Sequence, residues 1–431
     1  MGEERVVNNL LSVNDRNKNG NIIFITTLFF MSILLHQSNI MFGVNISFAD
    51  LFCLMIFIVL GYKNHLLFPV YPILFFIIVS FVILATTAFY VPWKFIYNPE
   101  PMRIAMDYIK LLVIFMYFII GYNLSNINLI KKTLKWYSIF GMIIGGIGAF
   151  FTVFRINFFS DILFFGDTRF RGLMIDPNYF SVLQITSMVY LSRVHTIKIH
   201  YKFAAFFLTF LSVLTSGSKT GIITLFIYIS FRVLEYIFKS KKNIKVIIIQ
   251  IISIVLFIIV IPIAINSLPI FLHYVTYAIP AFDRIQNILT DFGGAISENG
   301  SGRNATWSVA FQIISISPLI GIGIGTFTNI ALEKFQFGNL AHNTFLQLFA
   351  EWGIPLTFIL FSYIFFTLIK VTASKTTYSA TILILRDIII ILLISSMAIS
   401  LNNARILWLV LGALVFLNKR EGEKNYGGYN D

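Results

Sequence analysis

Arginine is where chemistry can be sought first. Arg103, Arg155, Arg169, Arg171, Arg284, Arg303 and Arg405 occupy one alternate set of the segments that separate long apolar runs, while the other set carries mostly lysine. Lysine is a solvated point charge, whereas a guanidinium offers a rigid fork of donors that grips phosphate or carboxylate in bidentate fashion. A face rich in arginine therefore points to an anionic ligand such as a diphosphate. A structural alternative stands beside it: these side chains snorkel to lipid headgroups or pair with Asp161, Asp167, Asp283 and Asp291.

The second constellation begins at Ala341-His342-Asn343-Thr344 and runs to Glu351-Trp352-Gly353. Asn343, Gln347 and Glu351 recur every fourth residue, so a helix places them in one polar stripe. Inside a membrane such groups must face the bundle or a wet cavity. His342 falls at the start of that helix, where the dipole opposes protonation and keeps the ring neutral. A neutral imidazole that accepts a proton from a hydroxyl serves glycosyl or acyl transfer; a helix cap or an interface anchor is the bland alternative. Gly353 and Pro355 predict a kink further on.

A third segment joins Arg169-Phe170-Arg171-Gly172 to Asp176-Pro177-Asn178. Asp176 followed by Pro177 reads as a helix start, which leaves Arg171 and Asn178 without a local task. Asp107 with Lys110, Arg232 with Glu235, and Arg386 beside Asp387 read as neutralised pairs inside apolar runs. The Gly321-Ile322-Gly323-Ile324-Gly325 run lacks the strand and helix context of a nucleotide site. No histidine, cysteine or carboxylate set has metal-ligand spacing, and the single cysteine, Cys53, lies in an apolar run. Neither a metal nor a cofactor is expected.

The elements that must position these residues are apolar helices. The chain has 431 residues, of which 58% are hydrophobic and 12% charged, and its mean hydropathy is +0.84. Such a composition cannot keep a globule in water. Apolar runs near 21–38, 45–61, 66–88, 104–122, 134–153, 173–191, 203–217, 220–237, 246–264, 342–369, 379–400 and 405–417 are each read as one membrane-crossing helix. The predicted fold is all-α and polytopic: one transmembrane domain over 1–431, with cytoplasmic tails at 1–20 and 418–431. The pair 203–217 and 220–237 has one alternative reading, a re-entrant hairpin. The net charge of +13 follows the positive-inside rule, with lysines in every loop assigned to the cytoplasm, so nucleic acid is not an expected partner.

The same topology places 89–103, 154–172 and a long loop, 265–341, on the far side of the membrane. That loop is too long for a simple connection, and its stretches 268–277 and 307–316 are apolar enough for short interfacial helices. A glycine-rich stretch from Gly293 to Gly302 reads as a hinge.

Three patterns together resemble the O-antigen polymerase and O-antigen ligase superfamily of bacterial envelopes. They are Arg171-Gly172 with Asp176-Pro177-Asn178; Ser216-Gly217-Ser218-Lys219-Thr220-Gly221; and Arg303 and Trp307 through Pro318-Leu319-Ile320-Gly321-Ile322-Gly323 to His342-Asn343 and Glu351-Trp352-Gly353. The resemblance implies a metal-independent glycosyltransferase at the periplasmic face of the inner membrane, with 265–341 as a large periplasmic loop. Its substrates would be undecaprenyl-diphosphate-linked oligosaccharide donor and acceptor, with membrane lipid around it and a chain-length regulator as a candidate protein partner. The family pattern makes His342 the base that deprotonates the acceptor hydroxyl and Arg303 a cation on the donor diphosphate. Arg171, Lys219, Arg284, Asn178, Asn343 and Glu351 complete the candidate substrate-binding set. Lys219 stands where the family often has arginine. A polymerase is the leading expectation, and a ligase that transfers polysaccharide to lipid A-core is its alternative. A lipid-linked oligosaccharide flippase belongs to another class, in which related halves and midplane charges are the rule.

Overall fold

The computed structural model describes residues 18–38, 46–156, 158–166, 168–239, 274, 276–277, 279–282, 303–373 and 379–427. Among these, helices form wherever the apolar runs predict them. They are α1 (Lys18–Leu34), α2 (Phe48–Tyr62), α3 (Val70–Ala85), α4 (Pro101–Asn126), α5 (Ile130–Val153), α6 (Pro177–Arg193), α7 (Ile199–Thr215) and α8 (Lys219–Lys239), then α9 (Arg303–Ile316), α10 (Phe327–Phe335), α11 (Thr344–Ala373), α12 (Ala380–Ser396) and α13 (Arg405–Gly427). The expected span 246–264, the hinge from Gly293 to Gly302, most of the stretch 268–277 and Arg284 lie outside the described residues. The stretch 307–316 is helical, inside α9.

Five described helices are long and apolar enough to cross a membrane: Val70–Phe95, Pro101–Asn126, Ile130–Val153, Lys219–Ile237 and Thr344–Ala373. Asn21–Leu34, Phe48–Tyr62 and Ile199–Thr215 are shorter apolar helices. Their exposed faces carry residues such as Phe81, Phe366 and Ile58, which fits helices whose solvent is lipid. The chain between 203 and 237 forms two helices joined at 216–218, with α7 against α5 and α6, and α8 against α6 and α12.

Helix pairs approach closely where side chains are missing. A Cβ on Gly121 of α4 would overlap the Leu409 carbonyl, and one on Gly412 of α13 would overlap the Phe118 carbonyl. These two glycines let α4 and α13 pack backbone to backbone, as small residues do between helices in lipid. The helix α13 runs to Gly427, beyond the apolar run that was expected to end it near 417. Its extension, Asn418-Lys419-Arg420-Glu421-Gly422-Glu423-Lys424, is rich in good helix formers and needs no apolar partner to continue the turn.

The charge pairs expected inside the spans are real, and three arginines weave two of them into one network. Asp107 holds Lys110 at 2.6 Å. Arg193 at the end of α6 reaches Asp387 at 2.7 Å and Glu235, while Arg386 bonds Glu235 and Asp387, each at 2.7 Å. Arg232 and Tyr228 also donate to Asp387. This network ties α6, α8 and α12 together at the ends remote from His342.

Candidate functional site

The kinked helix α11 is the frame of the site. Gly353 has φ 78° and ψ 167°, and the helix breaks there. Pro355 has no N–H, so the Glu351 carbonyl loses its helical donor, and the Ile354 N–H turns away to the Pro318 carbonyl at 2.7 Å. The orphaned carbonyls of Ala350 and Glu351 accept instead from the N–H groups of Ile322 and Gly323, each at 2.9 Å. The glycine run thus laces itself to the break. Gly321, at φ 68°, would place a Cβ 2.5 Å from the Glu351 carbonyl oxygen, which only glycine avoids. Thr87, in a π turn over Thr86–Tyr90 that continues α3, accepts from Ile324 N at 2.8 Å and closes the other side of the run. The run is therefore a structural strap.

The lacing fixes the polar stripe. Gln347 donates to Glu351, and its own oxygen accepts from Ala341 N at 3.3 Å; both side chains are buried. Asn343 caps the helix, with Oδ1 accepting from Phe345 N and Leu346 N, while its amide donates to the Met397 carbonyl at 3.0 Å. Asn343 is accordingly held by structure at both ends of its side chain, and the stripe that faces open space shortens to Gln347 and Glu351.

His342 stands one residue before that cap, exposed, with φ 48°. Desolvation by the surrounding chain, and then the positive charge of Arg303, lower its pKa below the ordinary 6.5, against an opposing pull from Asp176. A lowered pKa favours the neutral ring at neutral pH, the state expected from the sequence. Arg303, in the first turn of α9, donates to Thr220 Oγ1 at 3.1 Å. Thr306, one turn on, donates to the Ala341 carbonyl at 3.3 Å, which joins α9 to the residue before His342.

The three sequence segments converge here. Asp176 caps α6 through the Asn178 N–H at 3.0 Å. Buried Arg169 donates from Nε to the Ser216 carbonyl at 2.8 Å and from Nη2 to Asn178 Oδ1 at 3.0 Å. It pins the 169–178 segment to the turn before Lys219 and Thr220. Lys219 is half-buried at the start of α8, beside the threonine that Arg303 holds.

Several expectations need correction. Arg171 and Asn178 were left without local tasks, yet Arg171 donates to the carbonyls of Asp161, Ile162 and Ile175. Three carbonyls on one guanidinium organise the loop that follows a two-strand hairpin, Phe164–Phe165 with Arg169–Phe170. Asn178 bridges Asp176 and Arg169. Arg405 was counted among the anion-seeking arginines, but it forms a bidentate pair with buried Asp50 at 2.5 and 2.7 Å. None of these partners follows from sequence distance, because each contact joins residues set beside one another by folding. Arg169, Thr220 and Asp176 fall in the segments singled out from sequence but outside the candidate site set, and the structure brings them into the cluster. One signal was readable: Arg103, Lys219, Arg303 and Arg405 all sit in first helical turns, where the macrodipole disfavours a cation unless something else holds it there.

A polar cavity of about 350 Å³ adjoins the cluster, lined by Arg103, Asp107, Lys110, Asp176, Gln347 and Glu351 among others. A family model described as O-antigen ligase matches residues 204–361. The match covers about a third of the chain and is consistent with the O-antigen polymerase and ligase superfamily. The matched segment carries Lys219, Arg303, His342, Asn343 and Glu351, whereas Arg103, Arg169, Arg171 and Asn178 precede it. No curated protein matches the sequence at a significant level.

Proposed function

We propose that the protein is an O-antigen polymerase of the bacterial inner membrane. It joins undecaprenyl-diphosphate-linked oligosaccharide units at the periplasmic face by transferring the growing chain to a hydroxyl of a new lipid-linked unit. The observation that carries this reading is an exposed, neutral His342 with the Arg303 guanidinium close enough to bias its ring, in a segment of the matching family. In this mechanism His342 takes the proton of the acceptor hydroxyl as its oxygen attacks the anomeric carbon, and the bond from that carbon to the diphosphate breaks. Arg303, with Lys219 nearby, offsets the charge that develops on the departing diphosphate. Attack opposite the leaving group inverts the anomeric configuration. Arg171 enters the mechanism only as the residue that shapes the 161–175 loop.

The description of the matching family supports a second reading, a ligase whose acceptor is lipid A-core; group transfer is favoured over transport by the same match. Richness in Phe and Ile and the Asp176-Pro177-Asn178 segment support the polymerase. The test is a gel of lipopolysaccharide from a strain lacking the protein, complemented with wild type or His342→Ala. Core carrying a single repeat unit, restored to a ladder only by wild type, is the expected result. Bare core with polymer left on the lipid carrier would identify the ligase, and an unchanged ladder would overturn both. Loss of the base is expected to slow transfer by roughly 10²–10⁴-fold.

A further inference from the structure

The polar cavity that Asp176 and Gln347 line holds more ionisable chemistry than the transfer step uses. Its lining carries three cations, Arg103, Lys110 and Arg405, and four carboxylates, Asp50, Asp107, Asp176 and Glu351. Asp50 is taken by Arg405, and Asp107 Oδ1 by Lys110 at 2.6 Å. With acids set among its bases, this lining offers no surplus of positive charge to a diphosphate. It suits a ligand that is polar, uncharged, and able to donate and accept hydrogen bonds along its whole rim.

The unused atoms are specific. Glu351 is 8% exposed, and one of its oxygens accepts from Gln347; the other makes no hydrogen bond to a described residue and lines the cavity. Asp107 likewise uses Oδ1 for Lys110 and leaves Oδ2 without a hydrogen bond to a described residue. Space before it is kept by Gly325, on which a Cβ would stand 3.0 Å from that oxygen. Arg103 is held by the neutral side chains Asn329, at 2.7 Å, and Thr328, so part of its donor fork stays available. Trp352 and Tyr179 add aromatic surface to the same lining. Two carboxyl groups, one donor fork and aromatic faces in a cavity of about 350 Å³ make a site of the size and composition that small polar ligands require.

We propose that this cavity is a saccharide subsite in which Glu351, Asp107 and Arg103 bind the hydroxyls of the acceptor sugar and present one of them to His342. The assignment rests on the polymerase reading for the word acceptor, and on the cavity alone for the word saccharide. Two links connect the subsite to the base: Asp176 lines the cavity and acts on the His342 ring, and Gln347 lines it while holding the Ala341 N–H. The subsite thus differs in chemistry from the Arg303 and Lys219 side, where the diphosphate leaves.

The test measures binding without reaction. The full-length protein in lipid nanodiscs is titrated with the free repeat-unit oligosaccharide, released by mild acid from the carrier lipid of the strain lacking the protein, and tryptophan fluorescence is followed. Glu351→Gln and Asp107→Asn are each expected to weaken binding by about tenfold, the loss of a hydrogen bond in a buried site. Inorganic pyrophosphate is expected not to compete. If either variant fails to reach the membrane folded, the other, on a different helix, carries the same expectation. Binding within twofold of the parent in the folded variants, or competition by pyrophosphate, would overturn the proposal. The two readings fail separately: saccharide binding with an unchanged lipopolysaccharide ladder removes the polymerase and keeps the subsite, and a His342-dependent ladder with indifferent Glu351 and Asp107 variants does the reverse.

Discussion

Replacing Gly353 with alanine attacks the joint on which the site depends. The residue sits at φ 78°, ψ 167°, a region that L side chains reach only at a cost of about 1–3 kcal/mol. The added Cβ also overlaps the Leu319 carbonyl and crowds Ile320 N, so the strap must move. Three bonds cross the break, from Ile354 N to Pro318, Ile322 N to Ala350 and Gly323 N to Glu351, each worth about 0.5–1.5 kcal/mol net. Loss of two of them together with the strain amounts to roughly 2–6 kcal/mol. Thermal unfolding of the detergent-purified protein, followed by tryptophan fluorescence, should show a melting temperature lowered by several degrees or more. On the proposed polymerase reading, repeat joining should fall as well, because the strap sets the register of Gln347 and Glu351 against His342. Pro355→Ala serves as the control: it restores an N–H below the Glu351 carbonyl without adding a clash, and should cost less than about 1.5 kcal/mol. A Gly353→Ala protein that melts with the parent and keeps full activity would refute the account of the break.

Two further perturbations follow from the site. In the proposed mechanism the base works when His342 is neutral, so activity is lost as acid protonates it, and the acid limb of the rate should lie below pH 6.5 because its pKa is lowered. Arg303→Gln removes a lowering influence and should move that limb upward, and Asp176→Asn should move it downward; rates across about pH 5 to 8 that show a limb above 6.5 in the parent would contradict the assignment. Arg405→Met leaves Asp50 buried with Tyr117 and Ser47 as its remaining donors, which should destabilise the protein by about 3–5 kcal/mol. Adding Asp50→Asn should recover part of that loss in the same melting assay, and no recovery would mean that the pair acts otherwise.

Much of the molecule was legible before folding. Backbone groups in lipid must be satisfied locally, so runs of apolar residues long enough to cross could only be helices, and their positions match the described helices closely. The kink at Gly353 and Pro355 and the cap at Asp176 and Pro177 were equally local, because each depends on what one residue does to its own φ or its own N–H. A lowered His342 pKa was expected from its place before a helix, but the contribution of Arg303 was not.

Which arginine does what was beyond sequence. Arg169, Arg171 and Arg405 carry the same chemistry, yet one pins two motif segments together, one holds three carbonyls and one neutralises Asp50 across 355 residues of chain. Only the packing of α2 against α4, and of α13 along α4, brings Asp50 beneath Arg405, and only the broken α11 turns Glu351 toward Asp107 and Arg103. A guanidinium's role is set by the acceptor that reaches it first, and that acceptor arrives from elsewhere in the chain. Sequence therefore determined the helices and the kinds of groups at their ends, while tertiary structure decided which charges cancel and which remain for substrate.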